Sequence, residues 1–149
     1  MPQLSLHSPV GDLSISEEDG AIISLDWGWG AIQTETKLLL KARDQLNAYF
    51  DGELKKFALP LIPAGTPFQQ KVWAAMRRIP YGQTATYGDL AHRIDSAARA
   101  VGRACGTNPL PILIPCHRVV GGDDRLGGYS GDGGLETKIA LLRLEGALL

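Results

Sequence analysis

Long apolar runs are missing from this chain of 149 residues. None approaches the roughly 20 consecutive apolar residues that span a bilayer core. Residues 1–10 also lack the basic start and apolar run of a secretory leader. The expectation is a soluble protein of the cytoplasm, or of the nucleus in a eukaryote, with no membrane partner. Cysteine is scarce too, Cys105 and Cys116 being the only two. Without secretion, two cysteines read as free thiols rather than a bridge. The three histidines, His7, His92 and His117, are scattered, so no metal-ligand cluster at chelating spacing is expected. The aspartates of the glycine-rich stretch 121–134 lack EF-hand spacing, and its glycines lack the Walker lysine. An excess of one charge is absent as well, with a net charge of −1, which speaks against a strongly basic nucleic-acid binder at the level of the whole chain.

What is present is an ordinary globular balance, 44% hydrophobic and 21% charged, in a length that suits one large domain or two small ones. The halves differ in charge. Residues 1–65 carry five bases and nine acids, a balance of −4, whereas 66–149 carry ten bases and seven acids, a balance of +3. Seven of those ten bases are arginines between Arg77 and Arg125. Such an asymmetry is either a solvated surface or the footprint of a polyanionic partner on the C-terminal half.

Leu4-Ser5-Leu6, Leu13-Ser14-Ile15 and Ile22-Ile23-Ser24-Leu25 read as strands of an antiparallel meander, with turns at Pro9-Val10-Gly11-Asp12 and Glu18-Asp19-Gly20. Residues 34–50 place Leu38, Leu39, Ala42, Leu46, Tyr49 and Phe50 on one helical face. Residues 57–62 read as a further strand, and Pro63-Ala64-Gly65 as a linker. Thr66-Pro67-Phe68-Gln69 has the form of a capping box with proline at the first helical position. The helix it opens carries an apolar stripe of Phe68, Val72, Ala75, Met76 and Ile79. Two short helices follow, 87–93 capped by Thr86 and 97–106 capped by Ser96. They form either a helix-turn-helix or an ordinary helical hairpin packed on the core. Residues 108–115 hold three prolines and read as extended and buried. A last helix over 135–144 turns Leu135, Ile139 and Leu142 inward. The pattern predicts an α/β fold. An N-terminal α/β domain over 1–63, a small antiparallel sheet with a helix, precedes a mostly helical domain over 66–149, winged-helix-like where its two short helices form the helix-turn-helix.

Cys116-His117 is the chemically loaded pair. A free thiol is only a few per cent ionised at neutral pH, and a nearby imidazole can take its proton. On an extended strand the two side chains point to opposite faces, so cooperation needs a turn or a bridging water. A buried cysteine beside a histidine is otherwise plain core, and the pair alone leaves both readings open.

The run Asn108-Pro109-Leu110-Pro111-Ile112-Leu113-Ile114-Pro115-Cys116-His117-Arg118-Val119-Val120 closely resembles the active-site signature of the O6-alkylguanine-DNA alkyltransferases. These are also called methylated-DNA–protein-cysteine methyltransferases. The resemblance extends over about 66–146. It takes in Pro80-Tyr81-Gly82-Gln83-Thr84-Ala85-Thr86-Tyr87, Ala98-Arg99-Ala100-Val101-Gly102, Gly128-Tyr129-Ser130-Gly131 and Leu144-Glu145-Gly146. It implies a helix-turn-helix whose second helix enters the minor groove of double-stranded DNA, with Ala98, Arg99, Gly102 and Arg103 at the interface. Cys116 would irreversibly accept the alkyl group of a flipped O6-alkylguanine, or of O4-alkylthymine. His117 would be its water-mediated base and Glu145 the carboxylate holding His117. Asn108 would tie the helix-turn-helix to the active-site segment, and Tyr87 would help rotate the nucleotide out and donate to N3. Arg99 would fill the gap left by the base. Pro111, Val119, Tyr129 and Ser130 would line the pocket, the carbonyls of Cys116 and Val119 accepting from the exocyclic amine. The implied protein is a monomer that uses no cofactor and no metal and is consumed in one turnover. Cysteine at 116 separates the chain from alkyltransferase-like proteins, which usually carry tryptophan there. A cysteine hydrolase built on Cys116, His117 and Glu145, or a regulator that binds undamaged DNA, are the competing readings.

Overall fold

The computed structural model describes residues 1–122, 126–129 and 134–148. The chain divides into two compact units, Met1–Ala64 and Gly65–Leu149.

In the first unit, β1 (Gln3–Leu6), β2 (Leu13–Glu18) and β3 (Ala21–Trp27) form an antiparallel sheet in the order β1-β2-β3. The expected meander is there. Alternation sends Leu4, Leu6, Leu13 and Ile15 to one face, where they are buried with Leu39, Ala42, Leu46 and Tyr49 of α1 (Lys37–Phe50). The opposite face buries Ser5, Ser14 and Ser16. Their hydroxyls are satisfied locally: Ser5 Oγ lies 2.9 Å from Ser14 Oγ, and Ser14 Oγ donates to the Gly28 carbonyl at 2.7 Å. Thr36 caps α1, so the helix starts three residues later than the apolar pattern places it. Residues 57–62 do not form the expected strand. A single parallel bridge, Ile22 to Leu61, is made, since Pro60 has no N–H to extend a ladder and Pro63 ends the segment.

The second unit opens with α2 (Pro67–Arg77), and the capping box is complete. The Gln69 N–H donates to Thr66 Oγ1 at 3.1 Å, and the Gln69 side chain accepts from the Thr66 N–H at 2.8 Å. The inward stripe differs at one position: Phe68 is exposed, and Trp73 is buried instead. The Trp73 indole donates to the Ala104 carbonyl at 2.9 Å, fastening α2 to α4 (Ala98–Gly106). α3 (Tyr87–Arg93) carries a second capping box, between Thr86 and Asp89. The tight α3–α4 connection places Asp95 at φ 55°, and the Ser96 N–H donates back to Ala91. Ser96 is therefore not the cap of α4. That position falls to Ala97, which has no side-chain cap.

Residues 108–115 are buried from Leu110 onward, as their apolarity requires, but they are not extended. The Ile114 N–H donates to Leu110 at 2.8 Å, the Leu113 N–H to Pro111 at 2.9 Å, and Ile112 takes φ 73°. Prolines exclude a regular helix, yet here they frame a compact turn. β4 (Ala85–Thr86) pairs in parallel with β5 (Val119–Val120), a contact too short to leave a sequence pattern. α5 (Leu135–Leu144) closes the unit.

Replacing Thr66 by alanine removes one half of the capping box and leaves an orphan N–H at the start of α2. The expected loss is about 1 kcal/mol, read as a lower denaturant midpoint of the full chain. An unchanged midpoint would show that the box does not hold this helix.

Candidate active site

Cys116, His117 and Arg118 form one 3-10 turn, and all three are buried. The turn follows from its flanks. Pro115 supplies no N–H, its carbonyl accepts from the Arg118 N–H at 3.1 Å, and the Val119 N–H closes on the Cys116 carbonyl. The strand geometry that would send Cys116 and His117 to opposite faces is thereby replaced. No hydrogen bond joins the two side chains among the described residues.

His117 Nε2 lies 2.7 Å from Glu145 Oε2. The same carboxylate accepts from Arg118 Nε at 2.8 Å and Arg118 Nη2 at 2.9 Å. Arg118 Nη1 donates to the Ile79 carbonyl at 2.7 Å. Glu145 reaches this place as the residue that caps the C-terminus of α5. Burial holds the His117 imidazole below its ordinary range, with Arg118 and Lys138 acting the same way and the Glu145 hydrogen bond opposing them. His117 is therefore neutral, its Nε2–H donated to Glu145, and its buried Nδ1 has no hydrogen-bond partner among the described residues. The unfolded chain takes up this proton first, so stability carried by His117 declines as pH falls below 6.5.

Cys116 opens into a cavity of about 360 Å³. Its wall among the described residues is Tyr87, Gly102, Cys105, Gly106, Cys116, Gly128 and Tyr129. Burial pushes the Cys116 thiol upward, and the Asn108 side chain and the charge of Lys138 pull partly against it. The thiolate is thus not preformed. Burial also raises the Tyr87 and Tyr129 hydroxyls, which stay protonated. The Tyr87 ring is set closely against the loop: a Cβ on Gly127, at φ 74°, would lie 2.9 Å from Tyr87 Cε2. Glycine is required there on both counts. Asn108 connects the end of α4 to the acceptor turn. Its N–H donates to Cys105, its Nδ2 donates to Ile114 at 2.9 Å, and its side chain reaches the Cys116 thiol.

The predicted site residues separate into four places. Cys116, Tyr87, Gly102 and Tyr129 meet at the cavity. His117, Asn108 and Glu145 stand behind it, while Pro111 and Val119 are buried without lining it. Ala98 and Arg99 are exposed in the first turn of α4. Arg103 lines a different groove, with Thr66, Phe68 and Ala100. Ser130 lies outside the described residues. The carbonyls of Cys116 and Val119 each already accept one bond, from the Val119 N–H and from Lys138 Nζ at 2.6 Å, and each keeps a second lone pair. No cluster of metal-ligating side chains occurs among the described residues.

Two side chains escaped the sequence reading. Arg118 enters there only through the charge balance and the 108–120 run, and it is buried on Glu145. Lys138 is fully buried, donating to Val119 and, at 3.1 Å, to Gly128. Its ammonium lies 5.9 Å from the centroid of the Tyr87 ring, and burial lowers it to about 8. The expected inward face of α5, Leu135, Ile139 and Leu142, is rotated: Lys138, Leu141, Leu142 and Glu145 form a buried stripe with Thr137 buried beside it, and Leu135 is exposed. The spacing of those four, at i, i+3, i+4 and i+7, was a signal available in the sequence.

Comparison with known proteins covers the whole of this arrangement. The family model for 6-O-methylguanine DNA methyltransferase, DNA binding domain, matches residues 67–147, and that for its ribonuclease-like domain matches 4–63. A constitutive methylated-DNA–protein-cysteine methyltransferase of Bacillus subtilis is 46% identical over 152 residues, covering 93% of this chain and 92% of its own. The methylated-DNA–protein-cysteine methyltransferase of Mycobacterium tuberculosis is 55% identical over 161 residues, with 95% and 90% covered. A crystal structure of Mycobacterium tuberculosis OGT in complex with DNA superposes with a TM-score of 0.89 at 42% identity, covering 99% of this chain and 94% of that one. An O6-methylguanine DNA methyltransferase of Methanococcus jannaschii superposes at 0.73 with 27% identity, over 98% and 95% of the two chains. With both of its units matched, the chain belongs to the 6-O-methylguanine DNA methyltransferase family.

Proposed function

We propose that this chain repairs DNA by direct reversal, moving the alkyl group of O6-alkylguanine, and of O4-alkylthymine, onto Cys116 in a single irreversible event. The observation that carries the reading is the placement of the Cys116 thiol at a cavity of about 360 Å³ between Tyr87 and Tyr129, backed by a neutral His117.

The chemistry follows from the parts. A target atom inside a duplex is unreachable, so the nucleotide must leave the stack. The 66–149 domain supplies the tool: α4 enters the minor groove, where Ala98 and Gly102 permit close approach and Arg103 meets the backbone. Arg99 takes the place of the departed base. In the cavity the base lies between the two tyrosines, with Pro111 and Val119 behind. The Cys116 proton passes through a water to His117 Nδ1, the lone pair that Glu145 leaves bare by accepting from Nε2. Cys116 sulfur then attacks the alkyl carbon in line, and the carbon–O6 bond breaks with its electrons going to the guanine. The Tyr87 hydroxyl donates a hydrogen bond to N3 of the purine as charge develops there, and the Lys138 ammonium near its ring steadies the tyrosine. The product is a thioether, which water does not hydrolyse, so the protein is used once. No cofactor enters. The protein acts as a cytoplasmic monomer on double-stranded DNA, and no helix among the described residues is long and apolar enough to cross a membrane.

Intact mass after incubation with O6-methylguanine duplex tests the acceptor. The protein should gain one methyl and stop, and Cys116→Ala should gain none. Several turnovers per chain would instead mark a hydrolase, and transfer surviving the substitution would place the acceptor elsewhere.

Arg99 makes no hydrogen bond or ion pair among the described residues, which fits either a phosphate contact or a finger. The two differ in what they lose. Flipping costs a few kcal/mol, so Arg99→Ala should slow duplex repair on the order of a hundredfold. Transfer from free O6-benzylguanine, where nothing flips, should change little. Equal losses on both substrates would make Arg99 a structural residue, and an unchanged duplex rate would leave it a plain surface charge.

A further inference from the structure

The mechanism leaves one nucleophile of the cavity unused. Cys105, in the last turn of α4, is a free thiol that lines the same cavity as Cys116. The two groups are near enough that negative charge on Cys116 holds the Cys105 thiol further toward its protonated form, in addition to the larger effect of burial. Asn108 links them directly, its N–H on the Cys105 carbonyl and its side chain on the Cys116 thiol. The Cys105 S–H is donated to Met76 Sδ at 3.4 Å, which leaves the sulfur lone pairs uncommitted.

We infer that Cys105 is a resolving thiol, which captures Cys116 as a Cys105–Cys116 disulfide when a hydroperoxide reaches the cavity. The inference rests on the acceptor reading of Cys116: the base that readies its sulfur for an alkyl carbon readies it equally for a peroxide oxygen. The Cys116 thiolate attacks the hydroperoxide, the O–O bond breaks, and an alcohol or water leaves, giving a sulfenic acid. Cys105 sulfur then attacks Cys116 sulfur, hydroxide leaves, and the proton of Cys105 converts it to water. The two sulfurs together lose two electrons and the peroxide gains them. A dithiol reverses the step by exchange. Burial pushes the Cys105 thiol up to about 12, so its thiolate is rare. Attack within one cavity works against this, since effective molarities reach roughly 10⁵ M where the reacting groups are well oriented. The consequence suits a protein used once. Without a second thiol, the sulfenic acid advances to sulfinic acid and the acceptor is lost before it meets a lesion. The alternative is that Cys105 only fills space between α4 and Met76.

The test treats the full-length reduced protein with hydrogen peroxide, blocks free thiols, and reads intact mass and a non-reducing peptide map. The protein should lose two hydrogens and yield one peptide pair joining Cys105 to Cys116. Its alkyl acceptance should disappear and return with dithiothreitol. Cys105→Ala should gain two oxygens at Cys116 and recover none of its own starting acceptance. Cys105→Ser serves if the alanine variant does not fold, and the map of the unsubstituted protein needs no variant. Oxygen addition without a linked pair, linkage between two chains, or equal recovery in the variant would overturn the inference. Failure of the acceptor reading is separate, since it appears as no alkyl gain before any peroxide is added.

Discussion

One buried carboxylate organises the active half of this molecule. Glu145 accepts from His117 and twice from Arg118, all three side chains being sealed from solvent. A charge in such a place persists only if it is paired and its remaining lone pairs are met by donors. That demand fixes several elements at once. It holds the end of α5 against the turn at 116–118, and Arg118 extends the hold to the end of α2 through the Ile79 carbonyl. Removing Glu145 or Arg118 would leave the other's buried charge without its counter-ion, a loss of roughly 3–5 kcal/mol. The arrangement also sets the chemistry, because a histidine that gives its Nε2–H to Glu145 keeps a bare Nδ1.

Lys138 supplies a second tie. Its ammonium bonds two carbonyls, one on β5 and one on the loop that carries Tyr129, so it joins the back of the cavity to its wall. It also places a positive charge beside a thiol that burial otherwise keeps protonated. Burial and this cation oppose each other at Cys116, and burial dominates. Such a thiol is quiet until a base and an electrophile are present together. That is a reasonable state for a group that can react only once.

Much of this was readable from the sequence, and the parts that were not share a physical cause. The β meander and the Thr66–Gln69 box are local patterns that appear where alternation and capping chemistry place them, and α1 differs only in starting three residues later. The run 108–120 identified the acceptor segment, but its shape was misread, because prolines exclude a helix without saying what replaces it. Phe68 and Trp73 exchanged roles because a stripe of apolar residues cannot tell which aromatic will find a carbonyl to donate to. Arg118 and Lys138 were invisible as buried cations, since their partners lie far along the chain. Part of the positive balance of residues 66–149 is thus spent internally, on Glu145 and on backbone carbonyls. The short β4–β5 pairing and the wall contributed by Cys105 and Gly128 likewise depend on contacts across the chain.

The claim on which the account turns is that burial keeps His117 neutral while Glu145 fixes its tautomer, leaving Nδ1 free. The ¹⁵N chemical shifts of the His117 ring, followed from neutral to acid pH in the unmodified protein, read this directly. The account predicts one tautomer, protonated at Nε2 and bare at Nδ1, persisting to pH values below the ordinary imidazole value of 6.5. A ring protonated at Nδ1, or one carrying both protons at neutral pH, would contradict it.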